Sequence, residues 1–246
     1  MAIEKDILMA TSFEPASTPR LRCELHNAIT HFAHSTFECD MTDPHSIELV
    51  HFGSKRWANY FKVVLLGLQS VLPPEVRQNA HGTIKVLVDG TVPPESSLSS
   101  SAAMTTCSSI VILTALKALH VVPRKVIADV ACHSERLVGV HSGGMDQAVS
   151  VFGQRDKALF VSFAPTLHVS PIELPLGHQY VFLVTNTMIK SDKKATAPER
   201  YNLRVVETRL AAAVLKRVLQ TKSDIPIQFR DTLRSVSDTF WACLLY

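Results

Sequence analysis

The sequence predicts an α+β fold, and three observations carry that prediction. Apolar residues recur at helical spacing in several long segments, and short β-branched or apolar runs flank them. Their order is strands, helices, strands, helix, which does not fit the regular βαβ alternation of a doubly wound parallel sheet. The 246 residues are 46% hydrophobic and 19% charged, enough for one large domain or two small ones with a buried core.

The elements follow in order. Residues 2–13 (AIEKDILMATSF) mix apolar and β-branched residues and predict a strand with almost no lead-in, an abrupt start for a complete domain. Residues 14–50, rich in Thr, His and Pro, predict short strands joined by irregular loops. From Lys55 to Leu72 the positions Trp57, Tyr60, Phe61, Val64, Leu65, Leu68 and Leu72 recur at helical spacing, and Pro73-Pro74 stops the run. Thr83 to Val88 predicts a short buried strand, closed by Asp89-Gly90. A loop over 91–97 then feeds a helix from about Leu98 to Leu119, with Met104, Val111, Ile112, Ala115, Leu116 and Leu119 on its apolar face. Pro123 at N1 opens a second helix running to about Val138. Strands are expected at 158–163, 167–174 and 180–185, and a long helix over 198–219. The tail 225–246 has weak periodicity and ends in WACLLY, which suits a docking strand or a sequence out of place.

Composition narrows the function classes. A net charge of +3, with eleven neutral His, gives no reason to expect nucleic acid or an anionic membrane as partner. The five Cys (Cys23, Cys39, Cys107, Cys132, Cys243) are scattered and never form C-x-x-C, against a disulfide scaffold or a zinc ribbon. Glu4, Lys5 and Asp6 fall where a signal peptide needs apolar residues. The apolar stretches Val63–Leu72 and Ile110–Val122 are too short to span a bilayer or are interrupted by Lys117 and His120. A soluble, cytoplasmic protein is the expectation.

Three segments carry candidate chemistry. Val92 to Ala103 (VPPESSLSSSAA) is a Pro- and Ser-rich loop opening a long helix. At such a junction the first-turn N–H groups and the helix dipole favour an anion, and Ser hydroxyls can donate to phosphate or ligate Mg²⁺. A Ser-rich N-cap on a core helix explains the same residues without a ligand. His141 to Ala148 (HSGGMDQA) places two of only nine Gly just before an Asp, on a loop closing the second helix. Adjacent Gly let backbone approach a ligand, and the Asp can act as base or orient a hydroxyl. A helix C-cap followed by an Asx turn is the structural alternative. Ser134-Glu135-Arg136 offers a carboxylate for Mg²⁺, or else a solvated surface ion pair.

Taken together, these segments resemble the GHMP kinase superfamily, specifically the galactokinases, and most closely the fungal galactokinases and N-acetylgalactosamine kinases. The family's phosphate loop, P-x-x-x-G-L-S-S-S-A, matches Pro93 to Ala102. Ser134 to Ala148 (SERLVGVHSGGMDQA) and Thr196 to Glu207 (TAPERYNLRVVE) look like its fingerprints around the sugar. Arg56 to Phe61 (RWANYF) and Val86 to Gly90 (VLVDG) match the helix and strand before the phosphate loop. The resemblance covers about residues 2–220. It implies a GHMP kinase-like α+β fold with an ATP-binding N-terminal domain over 1–176 and the start of a second domain over 177–246. It implies that Ser99, Ser100 and Ser101, with the backbone to Ala102, hold the ATP phosphates. Ser101 and Glu135 would bind Mg²⁺. Asp146 would take or orient the C1 hydroxyl proton of galactose or N-acetylgalactosamine, Gly143, Gly144 and Tyr201 would line the sugar, and Trp57 would lie toward the adenine. Ordinary core packing is the other reading of Trp57 and Tyr201.

Three departures from the family shape the expected activity. The family's opening motif, an Arg followed by G-E-H-x-D-Y, would lie just upstream of Ala2, and the late Gly-rich loop has no counterpart after Gly177. The chain is accordingly expected to be truncated at both ends. The Gly of the phosphate loop is replaced by Ser97. If that position needs φ > 0, a Cβ there costs on the order of 1 kcal/mol. Weak or absent turnover is therefore the expectation. The alternative function is a non-catalytic galactose and ATP sensor that binds a regulatory protein.

Overall fold

The computed structural model describes residues 4–163, 166–173, 183, 185, 197–222 and 232–244. The chain divides into two compact units, Met1–Val138 with Ser142–Ser191, and Gly139–His141 with Asp192–Tyr246. The expected boundary at 176/177 falls outside the described residues.

The first unit is a four-stranded sheet covered by helices. Its strands are β1 (Ile7–Pro15), β2 (Leu21–Asn27), β3 (Ser35–Cys39) and β4 (Gly82–Gly90), in the order β1-β4-β2-β3. β4 runs antiparallel to β1 and parallel to β2, with Ile84 opposite Phe13 on one side and Cys23 on the other. Period-two alternation sets the faces: Ile84, Val86 and Val88 of β4 and Leu21, Cys23 and Leu25 of β2 are buried. The intervening Arg22, Lys85 and Glu14 meet water and ion-pair with charged neighbours.

Helices α1 (Asn59–Gln69), α3 (Ser100–Ala115) and α4 (Arg124–Arg136) pack on one another, and α3 packs on β1. The short α2 (Pro74–Gln78) and α5 (Met145–Phe152) complete the first set. The core joins Phe61, Leu65 and Leu68 of α1 to Ile112 and Leu113 of α3 and Ile127 of α4 over the sheet residues. A 3₁₀ turn at Arg56–Ala58 precedes α1, so the run expected from Lys55 resolves into two pieces. Pro123 is the N-cap of α4, one residue before the expected N1 position. β5 (Lys157–Ser162) and β6 (His168–Glu173) form an antiparallel pair. The third strand expected there, 180–185, lies outside the described residues except for Leu183 and Thr185.

In the second unit a π-helical turn, Ala197–Tyr201, leads into α6 (Asn202–Lys222). The Asn202 amide ties in the 139–141 segment, donating to Gly139 O at 3.0 Å and accepting from His141 N at 3.1 Å. The tail corrects the sequence expectation of a docking strand: α7 (Leu233–Leu244) is a helix, and its buried Val236 packs with Ala212 and Leu219 of α6. Apolar and polar positions that look unordered as a strand fall on separate faces at 3.6 residues per turn.

Candidate active site

The Ser-led helix start is present, and its capping is unusual. Ser99 is the N-cap of α3 in the left-handed conformation, φ 57°, and its hydroxyl makes no cap bond. Instead Ser99 Oγ donates to Asp146 Oδ2 at 2.8 Å, across 47 positions of sequence. The first helical bond is Ala103 N to Ser99 O, at 3.0 Å. The N–H groups of Ser100, Ser101 and Ala102 are thus left without intrahelical acceptors, at the positive end of a sixteen-residue helix. The loop before them is wound tightly. Glu95, Ser97 and Ser99 all have positive φ (58°, 59° and 57°), and the Ser96 hydroxyl closes the turn on Pro93 O at 2.7 Å. Ser97, where the family has Gly, therefore sits in a conformation that favours Gly.

The HSGGMDQA segment corrects the expectation of a loop closing the second helix. It opens α5: Gly144 is the N-cap at φ 92°, Met145 the first helical residue and Asp146 the second. Only Gly suits this cap, because a Cβ would also lie 2.9 Å from Cys132 Sγ and 3.2 Å from Phe163 Cε1. The placement puts the Asp146 carboxylate at the favourable end of the α5 dipole. Gly143 is exposed, and a Cβ built there has open space. With Gly144, Cys132, Arg136, Phe163 and Leu167 it lines a cavity of about 230 Å³.

Glu135 is not the solvated surface pair that its neighbour Arg136 suggested. It is 2% exposed, and its Oε2 accepts from Ser142 Oγ at 3.3 Å and from Gln147 Nε2. Arg136 turns away, to Ser142 O at 3.3 Å. Gln147 is fully buried, and its Oε1 has no described hydrogen-bond partner. Burial and then the charge of Glu135 push the Tyr60 hydroxyl well above its ordinary pKa, which keeps it protonated. Burial raises the Cys132 thiol, and Arg136 offsets this in part.

The fold thus makes two hydrogen-bonded groups that adjoin on α5, Ser99 with Asp146 and Gln147 with Glu135 and Ser142. Ser100, Ser101 and Ala102 lie on the adjoining first turn of α3, which packs against both α4 and α5. Trp57 is 7% exposed, packs beside Phe32 at 6.2 Å between ring centroids, and donates its indole N–H to Ala33 O at 2.9 Å. Tyr201, at the end of the π-helical turn, belongs to the second unit. Sequence reasoning missed Ser142 and Gln147. Gln147 carried a faint signal, a large polar residue on a helix where the next Ala is core. Among the described residues no group of three or more His, Cys, Asp or Glu could hold a metal ion, and no helix is long and apolar enough to cross a membrane.

Residues 59–154, which hold both the Ser-led helix N-terminus and the Gly-Gly-x-Asp helix start, match the GHMP kinases N terminal domain family. Over most of its length the chain is similar to galactokinases. It is 32% identical to the galactokinase of Schizosaccharomyces pombe over 88% of this chain and 42% of that one. It is 34% identical to that of Candida albicans (92% and 42%) and 34% identical to that of Saccharomyces cerevisiae (87% and 41%). Among solved structures, Lactococcus lactis galactokinase complexed with galactose shares the fold, with a TM-score of 0.63 and 23% identity over 91% of this chain and 51% of that one. The chain spans about two fifths of the length of the fungal relatives it matches.

Proposed function

We propose that the chain is an ATP-dependent sugar kinase that phosphorylates galactose, or N-acetylgalactosamine, at the C1 hydroxyl. The observation that carries this reading is the 2.8 Å bond from Ser99 Oγ to Asp146 Oδ2. It sets a carboxylate against the helix N-terminus best suited to hold phosphate. In the reaction the C1 oxygen attacks the γ-phosphorus, the bond to the β–γ bridging oxygen breaks, and ADP leaves. Asp146 receives or orients the hydroxyl proton. The N–H groups of Ser100, Ser101 and Ala102 and the serine hydroxyls hold the phosphates. Gly143 and Gly144 line the sugar in this reading, while Trp57 supports the domain from its core. Positioning and charge neutralisation do most of the work in such a transfer.

The chemistry of the donors present also fits Mg²⁺, a hard cation that takes oxygen ligands and relies on few carboxylates. Ser101 and Glu135 would hold it, and a bound Mg²⁺ would neutralise charge on the phosphates. The similarity to galactokinases, one of them solved with galactose, supports the sugar class. Cytoplasmic location is part of the same proposal.

Turnover is expected to be weak, below about one per second, the low end for enzymes. The purified chain is mixed with galactose and Mg-ATP and ADP release is followed, with Asp146→Asn as the control. ADP release that depends on neither galactose nor Asp146, together with no ATP binding by calorimetry, sinks the reading. A second reading, a non-catalytic galactose and ATP sensor for a regulatory protein, is favoured by the strained Ser97 in place of Gly. Calorimetric binding of both ligands without product would select it.

A further inference from the structure

The least explained group near the proposed site is a glutamine. Gln147 follows Asp146 on α5 and is 0% exposed. A buried amide has two donor hydrogens and one acceptor to satisfy. Its Nε2 donates to Glu135 Oε2, while its Oε1 lies buried without a described partner. A core position this enclosed is normally filled by Leu or Met, so a half-satisfied amide there calls for a cause.

Glu135 supplies one. At 2% exposure its carboxylate has little water to hold it charged or to fix its direction. Its described donors, Gln147 Nε2 and Ser142 Oγ, both act on the same oxygen. Two donors on one oxygen help to hold the charge and set the rotamer. The acceptor left over on the same amide suits an O–H donor, which is what hydrated Mg²⁺ presents, since this ion keeps several of its waters.

We infer that Gln147 is a positioning residue for the divalent cation, holding the Glu135 carboxylate in place and offering its own carbonyl oxygen to a water of the cation's shell. The inference rests on the proposed function. Partners of this outer kind change metal affinity by about 10–100-fold when removed.

The test compares ATP binding in two buffers by calorimetry, one with Mg²⁺ and one with EDTA, using the full chain. The ratio of the two affinities is the part of binding that the cation contributes. Gln147→Met keeps length and burial but can neither donate nor accept. It is expected to lower that ratio at least tenfold while leaving affinity for metal-free ATP within twofold. Gln147→Asn keeps an amide but withdraws it by one methylene, and gives the same reading should the Met variant fail to fold. A ratio unchanged from wild type, or an equal fall in both buffers, overturns the inference and leaves the kinase reading standing. A wild-type chain that binds no ATP in either buffer overturns both.

Discussion

Ser97→Gly tests the phosphate loop most directly. Ser97 has φ 59° and is exposed, and its side chain makes no described hydrogen bond, so the substitution changes little but the Cβ. A left-handed residue with a Cβ costs about 1–2 kcal/mol. Against this, Gly gains backbone freedom in the unfolded chain worth about 0.5–1 kcal/mol. The net relief is about 1 kcal/mol. If the free protein holds the loop wound as described, the relief belongs to folding, and Tm rises by about 2–4 °C for a chain of this size. If the loop winds only around nucleotide, Tm stays put and the ATP dissociation constant falls about fivefold. Thermal melts and calorimetry on the same samples separate the two. Ser96→Gly is the control: it gives up the 2.7 Å bond to Pro93 O without relieving a left-handed residue, and it is expected to destabilise. A Ser97→Gly protein that melts lower, or that changes neither quantity, refutes the claim that this position demands a left-handed backbone.

Three further outcomes follow from the same structure. Gly144→Ala combines a φ of 92° with a Cβ 2.9 Å from Cys132 Sγ; a loss of about 2–4 kcal/mol is expected in urea melts, and Cys132→Ala in the same chain should restore the contact part of it but not the backbone part. Burial pushes the Cys107 thiol from its ordinary 9.0 up to about 11. Below pH 9 both states hold the proton; between 9 and 11 only the folded state does, so stability falls by at most about 1.4 kcal/mol per pH unit, and urea midpoints of Cys107→Ala at pH 8 and 10.5 should lack that part of the slope. Val236→Asp places an unpaired charge at a position 5% exposed; a cost of at least about 2 kcal/mol should free α7, seen as early proteolytic cleavage within 233–244.

What the sequence disclosed and what it hid divide along physical lines. The strand at Gly82–Gly90 was legible because every second residue, Ile84, Val86 and Val88, is apolar and all three face the core. The start of α3 was legible because small polar residues abutting a long apolar run have few other uses. α5 was not. Eight residues give barely two turns of periodicity, and a Gly pair after a helical stretch reads as an ending as readily as a beginning. Burial of Glu135 was hidden for another reason: the sequence places Arg136 beside it, but adjacent helical residues point about 100° apart and do not pair. The link from Ser99 to Asp146 spans 47 positions, so no local pattern could report it.

The inward turn of Glu135 depends on how closely its helix is packed, and that closeness comes from small residues. A Cβ on Gly67 of α1 would collide with Ser134 Oγ and lie 3.0 Å from Val130 Cγ1, so the two helices meet only because residue 67 has no side chain. The facing α3 follows the same rule with Thr105, Thr106, Ser108 and Ser109 all buried. Thr105 and Ser109 turn their hydroxyls back onto carbonyls of their own helix, at 3.2 and 2.9 Å. Those of Thr106, Ser108 and Ser134 have no described partner. Each such hydroxyl costs about 1–3 kcal/mol relative to a satisfied one. Alanine at the two serines and valine at Thr106 would fill nearly the same space without that cost, so stability alone does not account for hydroxyls at these three positions. What the small side chains do provide is a short distance between α1, α3 and α4, and Glu135 follows Ser134 directly on the last turn of α4. A bulkier residue at 67 or 134 would push α4 outward and carry the carboxylate away from Gln147 and Ser142, its described donors.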